Sequence, residues 1–151
     1  MQVEIIEDPH ILDAYYTYYA AYIDGEGHIG IKKTYPNKSK GYSPSYTERV
    51  SVASTNEMII RSFNDLVVGY ISYHKPSKLS KRGYWSWEVT NHKARVFLGI
   101  IQPFLKLKSL QSKIVLVLGK NKEKIGKNKI PIKDLKLRED LYKILRVLHG
   151  N

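Results

Sequence analysis

Tyr19-Ala20-Ala21-Tyr22-Ile23-Asp24-Gly25-Glu26-Gly27 closes a run, beginning at Ile11, in which Asp13 and Thr17 are the only plainly polar residues before Asp24. The rest are Ile, Leu, Ala and five tyrosines: Tyr15, Tyr16, Tyr18, Tyr19 and Tyr22. A helix on a protein surface ordinarily shows a polar face, and this one barely does. The pattern therefore predicts a helix buried on two sides, against its own domain and against a second partner. Ala20 and Ala21 let that partner come close. Asp8-Pro9 supplies the start, an acceptor for free amides followed by a residue preset for the first turn. The two glycines of Asp24–Gly27 supply the stop.

Outward from this helix the apolar period changes from helical to twofold. Ile29 and Ile31 alternate with His28, Gly30, Lys32 and Thr34, which predicts a strand, and the polar segment 36–44 reads as a loop. In a second strand Val50 and Val52 point one way, with Thr47, Arg49, Ser51 and Ala53 the other. Ser54-Thr55-Asn56-Glu57 opens a helix from Met58 to about Val67 in a capping arrangement, ended by Gly69. A third strand sets Ile71 and Tyr73 against Ser72 and His74, and a fourth sets Trp85, Trp87 and Val89 against Tyr84, Ser86 and Glu88. Helices are expected over Asn91–Ile101, from Pro103 to about Leu118, and over Ile132–Leu148.

Strands with one apolar and one hydrogen-bonding face form an antiparallel sheet covered by helices on one side only. The expected class is α+β: an αββαββα core at about residues 10–118, a lysine-rich connector at 119–131 and a C-terminal helix, all in one domain. The uncovered face would carry Lys32, Thr34, Thr47, Arg49, Ser51, Ser72, His74, Tyr84, Ser86 and Glu88, side chains suited to base edges and phosphates. An ordinary solvated sheet face has the same look.

Charge favours the first of those two uses. The net charge is +11, yet residues 1–31 hold six acids and no Lys or Arg, so the remainder carries +17. A body this basic suits a polyanion, because each neutralised phosphate releases counterions. With no cysteine the chain has no disulfide, thiol nucleophile, zinc ribbon or iron–sulfur site. No apolar stretch approaches the roughly 18 residues of a membrane span. The acidic N-terminus lacks a secretory pattern, so the expected setting is intracellular, cytoplasmic or organellar, without membrane or small-molecule partners. The five histidines form no metal-spaced pair, Asn91-His92 lacks the ligands of an HNH nuclease, and Gly126-Lys127 misses the P-loop spacing.

The nonapeptide at 19–27 resembles the signature of the LAGLIDADG homing endonucleases. Tyr19 and Tyr22 stand for the leucines, Ala21 for the first glycine, Gly25 for the alanine after the first acid and Glu26 for the second acid. Gln102-Pro103-Phe104-Leu105-Lys106-Leu107-Lys108 resembles the start of the helix after the second hairpin in the family's single-motif branch. The order of strands and helices from about residue 10 to 118 matches as well.

Two acids at the C-terminal end of a helix face its partial negative charge and call for a cation. Glu26 and the Gly25 carbonyl offer hard oxygens of the kind Mg²⁺ prefers. Asp24 reads instead as a capping and packing residue. The resemblance implies that Glu26 binds metal and that Lys108, rather than Lys106 or Lys113, stands near the scissile phosphate. Ser54 and Thr55 would organise water, in a region lacking the Gln and Arg of some members.

One acidic motif serves one strand of a duplex, so cutting both requires two chains. The resemblance implies a homodimer whose seam is Tyr15, Tyr19, Ala20, Tyr22, Ile23 and Asp24, with both Glu26 side chains over the minor groove and the two sheets forming a saddle along the major groove. The resemblance implies a site-specific double-strand break in a long, roughly palindromic DNA, Mg²⁺-dependent and leaving 3′ overhangs, by a protein encoded within a mobile intron. The alternative is an RNA maturase or a non-cleaving DNA-binding protein on the same fold. Arg49 and Lys32 are the candidates for guanine edges.

Overall fold

A computed structural model describes residues 8–36, 41 and 43–150. The acids Glu4 and Glu7 and the middle of the first hairpin loop (37–40 and 42) lie outside the described residues. The elements are α1 (Pro9–Glu26), β1 (Gly27–Thr34), β2 (Ser45–Ser54), α2 (Glu57–Leu66), β3 (Tyr70–His74), β4 (Tyr84–Thr90), α3 (Asn91–Ile101), a 3-10 turn (Gln102–Phe104), α4 (Ser109–Ile125) and α5 (Ile132–Leu148). The strands form one antiparallel sheet in the order β1-β2-β4-β3. This is the α+β architecture expected from the alternation, with helices on one face. No helix among the described residues is long and apolar enough to cross a membrane.

Parity along the strands decides which residues meet those helices. Ile29, Val50, Val52, Trp87 and Val89 are buried on the covered face, under Ile60, Phe63, Phe97, Leu98, Ile101, Val115 and Leu118. Trp87 is fully buried and its indole Nε1 donates to Val67 O at 3.1 Å, so the ring's one polar atom is satisfied inside the core. Phe63 and Phe97 pack on it, with ring centroids at 5.3 and 4.9 Å.

Several boundaries differ from the sequence expectation. Helix α1 runs through Asp24 and Gly25 to Glu26 and does not stop at its first glycine. The exit is Gly27, where a Cβ would stand 2.8 Å from Ile23 Cα, so the requirement there is close approach. Helix α2 is capped by Asn56, whose Oδ1 accepts from Met58 N at 2.9 Å, not by Ser54. It ends at Leu66. Gly69 instead admits the chain beside β4, since a Cβ there would meet Glu88 O at 2.5 Å. Pro103 belongs to the 3-10 turn, and α4 begins only at Ser109. That helix then continues to Ile125, through most of the expected connector, and ends at Gly126 with φ 62°. The connector is therefore 126–131.

One buried charge was not legible in the alternation. Glu48 points to the covered face and is fully buried, where Arg95 Nη1 reaches it at 2.9 Å and Lys122 Nζ pairs with its other oxygen. Removing one partner of such a buried set typically costs about 3–5 kcal/mol, because a charge is left uncompensated.

Helix α5 packs against the edge strand β1 and is tied to the sheet at its middle and at its C-terminal cap. In the middle, Glu139 Oε2 pairs with Lys33 Nζ at 2.8 Å and accepts from the Tyr46 hydroxyl. At the cap, His149 Nε2 donates to Ile29 O at 3.0 Å. Lys33 first, then Tyr46, hold the Glu139 carboxyl below the ordinary range, while burial and the Glu139 bond push Tyr46 up to about 12. A carboxyl lowered on folding stabilises fully above its unfolded value, roughly 4.3, and loses that contribution as pH falls through the lowered one. Glu139→Gln is expected to lower stability at neutral pH by about 1 kcal/mol and to flatten that acid limb. Urea melts of both proteins between pH 3 and 7 measure it.

Candidate active site and nucleic-acid interface

Asp24 sits in the last turn of α1, buried, at the end where the helix dipole disfavours a carboxylate. The strap between the 3-10 turn and α4 resolves the conflict. Asp24 Oδ2 accepts from Lys106 N at 2.7 Å and Oδ1 from Lys108 N at 2.9 Å, groups 82 and 84 residues away in sequence. The same strap returns a cation: Lys108 Nζ donates to Asp24 O at 2.6 Å, a favourable place for an ammonium at the negative end of a helix. Lys106 contributes its backbone amide to this contact. Lys113 lies apart, in a depression of α3 and α4 with Arg95 and Lys120. Glu26 is the last residue of α1 and is exposed. Asp24 and Lys108 thus fix the base of the projection on which Glu26 stands.

From Glu26 an open trough of about 540 Å³ runs across the uncovered face of the sheet. All ten residues assigned to that face share it by register. Lys32 pairs with Thr47 and Thr34 with Ser45 towards the hairpin tip, and Gly30 pairs with Arg49. Ser51 lies between His28 and Glu88, Ser86 between Ala53 and Ser72, and Tyr84 faces His74. Much of the surface is already ordered by internal contacts. Arg49 Nε donates to Glu88 Oε2 at 2.8 Å. The Ser72 and Ser86 hydroxyls meet at 2.8 Å and each lies 3.0 Å from His74 Nε2. His74 stacks on Tyr84 with centroids 4.5 Å apart and planes 12° from parallel.

Two polar side chains of the trough, His28 and Tyr70, were not among the expected contact residues. The alternation had already set His28 on the same side as Lys32, and parity places Tyr70 with Ser72. His28 lies against His149, with centroids 4.8 Å apart. Its imidazole is held below the ordinary value by enclosure first, then by the charges of His149, Arg49 and Lys108, with Glu88 opposing. Ser54 and Thr55 stand at the end of β2, and the Ser54 Oγ accepts from Asn56 N at 3.0 Å.

Helix α1 carries two apolar stripes. Tyr19, Ala20, Ile23 and Asp24, four of the six residues expected at a seam between chains, are buried in their own protomer. Tyr19 meets Phe63 edge-on at 4.9 Å. The opposite stripe holds Ile11, Ala14, Tyr15, Tyr18, Ala21 and Gly25, all exposed, with Tyr22 half-buried at its margin. Tyr15 and Tyr18 are 42 % and 51 % exposed, a large aromatic surface left to water.

The donor set is of the kind that suits a hard divalent cation. The Glu26 carboxylate has no hydrogen-bond or ion-pair partner among the described residues, and Gly25 lies in a last turn whose carbonyls lack intrahelical partners. Nothing lies within 4 Å of a Cβ built on Gly25, so its backbone is open to approach. Both Asp24 oxygens are taken by amides. Among the described residues no three His, Cys, Asp or Glu side chains converge.

The sequence matches no family model and no curated protein. Its fold is that of the LAGLIDADG homing endonucleases. The chain superposes on the homing endonuclease I-CvuI, in complex with the I-CreI target, with a TM-score of 0.72 at 17 % identity, over 91 % of this chain and 83 % of that one. The archaeal intron-encoded homing endonuclease I-Vdi141I, complexed with DNA, gives 0.71 at 18 %, over 90 % and 84 %. The LAGLIDADG homing endonuclease I-GzeII, in complex with its DNA target, gives 0.64 at 16 %, over 83 % of this chain but 42 % of that one.

Because Asn presents one acceptor where Asp24 presents two, Asp24→Asn turns an amide donor towards one of the strap amides. Stability is expected to fall by about 2 kcal/mol. Hydrogen exchange should rise at the Lys106 and Lys108 amides before the rest of the core, as native-state exchange would record.

Proposed function

We propose that this chain is one half of a LAGLIDADG homing endonuclease. Two copies pair along α1 and make a site-specific double-strand break in a long, roughly palindromic DNA. The reaction is Mg²⁺-dependent phosphodiester hydrolysis that leaves 3′ overhangs. The observation that carries this reading is the meeting of the two motif segments. The Gln102–Lys108 segment is gripped by Asp24, and Lys108 is thereby drawn to the helix end that bears Glu26.

Each residue then has a role its surroundings support. Glu26 and the Gly25 carbonyl would hold a divalent cation, which would supply an activated water and offset negative charge on the departing 3′ oxygen. The Lys108 ammonium opposes charge on the reacting phosphate, and its position costs no rearrangement because Asp24 holds the strap. The uncovered sheet face lies along the major groove, with Arg49, Lys32 and the Ser72–Ser86–His74 cluster presented to base edges. Ser54 and Thr55, at the end of β2, are the hydroxyls assigned to ordering solvent.

Pairing follows from the exposed α1 stripe and from length. A match spanning 83 % of this chain uses 42 % of I-GzeII, which leaves room in that protein for a second unit of the same size. Here a second chain takes its place. Tyr18→Glu puts two carboxylates into an otherwise apolar seam, and the expected result is a monomer by sedimentation that no longer cuts.

The decisive experiment incubates the protein with a randomised duplex library and Mg²⁺ and sequences the ends. Recovered cuts at one sequence support the proposal, whereas binding without cutting, equal in Glu26→Gln, identifies a non-cleaving binder. Glu26→Gln is expected to abolish cleavage and spare affinity. Lys108→Ala is expected to slow cleavage by roughly 10²-fold with modest loss of binding, read from single-turnover rates and Kd.

A further inference from the structure

Arg49 and Glu88 touch on the uncovered face of the sheet through one particular pair of atoms. The bond runs from Arg49 Nε to Glu88 Oε2 at 2.8 Å, and both side chains remain accessible, 40 % and 34 % exposed. Spending Nε on the carboxylate leaves the terminal Nη1 and Nη2 without a hydrogen bond among the described residues. Arg61 instead gives Nε and Nη2 to its helical neighbour Glu57, and Arg95 gives Nη1 to buried Glu48. Arg138 also donates through Nε, to Asn121 Oδ1 at 2.8 Å, but it is buried and faces no open surface.

The surroundings leave the fork uncovered and the anchor single. Across β1 the neighbour of Arg49 is Gly30, which has no side chain, and across β4 it is Thr90. Glu88 reaches Arg49 along the diagonal, since its own partner on β2 is Ser51. On the β1 side the His28 ring lies over Gly30, where a Cβ would stand 2.7 Å from its Nε2. That leaves Glu88 as the acid that sets the direction of the guanidinium. A planar fork with two parallel N–H groups matches the O6 and N7 acceptors of guanine, and a fork held in place loses less freedom on binding.

We propose that Arg49 reads a guanine in the major groove through Nη1 and Nη2. Glu88 acts as a positioning residue that aims the fork and makes no base contact of its own. The inference rests on the DNA-binding reading of the uncovered face and assigns the base that face selects.

The test is selection from a randomised duplex library by the full-length chain without divalent metal. Kd is then measured for all four bases at each selected position. Wild type is expected to select a guanine in each half-site that Arg49→Ala renders indifferent, a loss of roughly tenfold or more in discrimination. Glu88→Ala is expected to flatten preference at that same position and nowhere else. Its binding to sites lacking the guanine should be unchanged or tighter, since a negative charge has left the face. Glu88→Gln, whose amide oxygen still accepts from Nε, should keep most of the preference. The positioning role is overturned if Glu88→Ala leaves that preference intact, or weakens binding to every sequence alike as a folding defect would. Guanine reading is overturned if Arg49→Ala shifts no guanine position. A wild-type protein that selects no sequence overturns the DNA-binding reading itself, and that result appears before any variant is made.

Discussion

The carboxylate of Asp24 is where the two ends of this fold are joined. A negative group buried in the last turn of a helix is unfavourable until something donates to it, and the donors are two backbone amides of the strap at Lys106 and Lys108. Charge-assisted bonds of this kind are stronger than neutral ones, and these two are partly buried. The geometry also works in the other direction. The strap is an irregular segment whose amides need partners, and the helix end is a cluster of carbonyls that needs a cation. Each supplies what the other lacks, and Lys108 Nζ on Asp24 O completes the exchange. The position of Glu26 relative to Lys108 is therefore a consequence of satisfied polar groups.

Much of this was legible in the sequence where a period had one interpretation. Alternation in β1, β2 and β4 assigned faces correctly because an antiparallel sheet has only two, and α5 showed its limits through a clean amphipathic repeat. Helix α1 was different. It is apolar on opposite sides, so Tyr15 and Tyr18 look in sequence much like Tyr19 and Ile23, and which stripe meets its own core depends on packing against Phe63. The strap was invisible for a related reason. Nothing local marks Leu105–Lys108 as non-helical, and its extended course is set by an acid more than eighty residues earlier. Glu48 broke the alternation rule outright, because Arg95 and Lys122 arrive from helices the strand pattern does not see.

The distribution of charge separates two tasks on this molecule. The uncovered face is not where most of the positive charge lies. Among its assigned residues are Lys32 and Arg49, and Arg49 is paired with Glu88. Lysines are far denser on α4 and α5, which cover the other side, at Lys113, Lys120, Lys124, Lys133, Lys136 and Lys143. Charges there attract a polyanion through the summed field, an effect that raises encounter rates and fades with salt over roughly 8–10 Å. They carry no sequence information. Discrimination needs groups whose direction is settled before the partner arrives, and those are found on the face with little net charge: the Ser72–Ser86–His74 cluster, the His74–Tyr84 stack and the Arg49–Glu88 pair. A face made strongly basic would hold phosphates anywhere along a duplex and so weaken its own selectivity. Lysines on the helices behind the sheet and ordered polar groups on its open face would reconcile a protein of net charge +11 with the proposed recognition of one site among many.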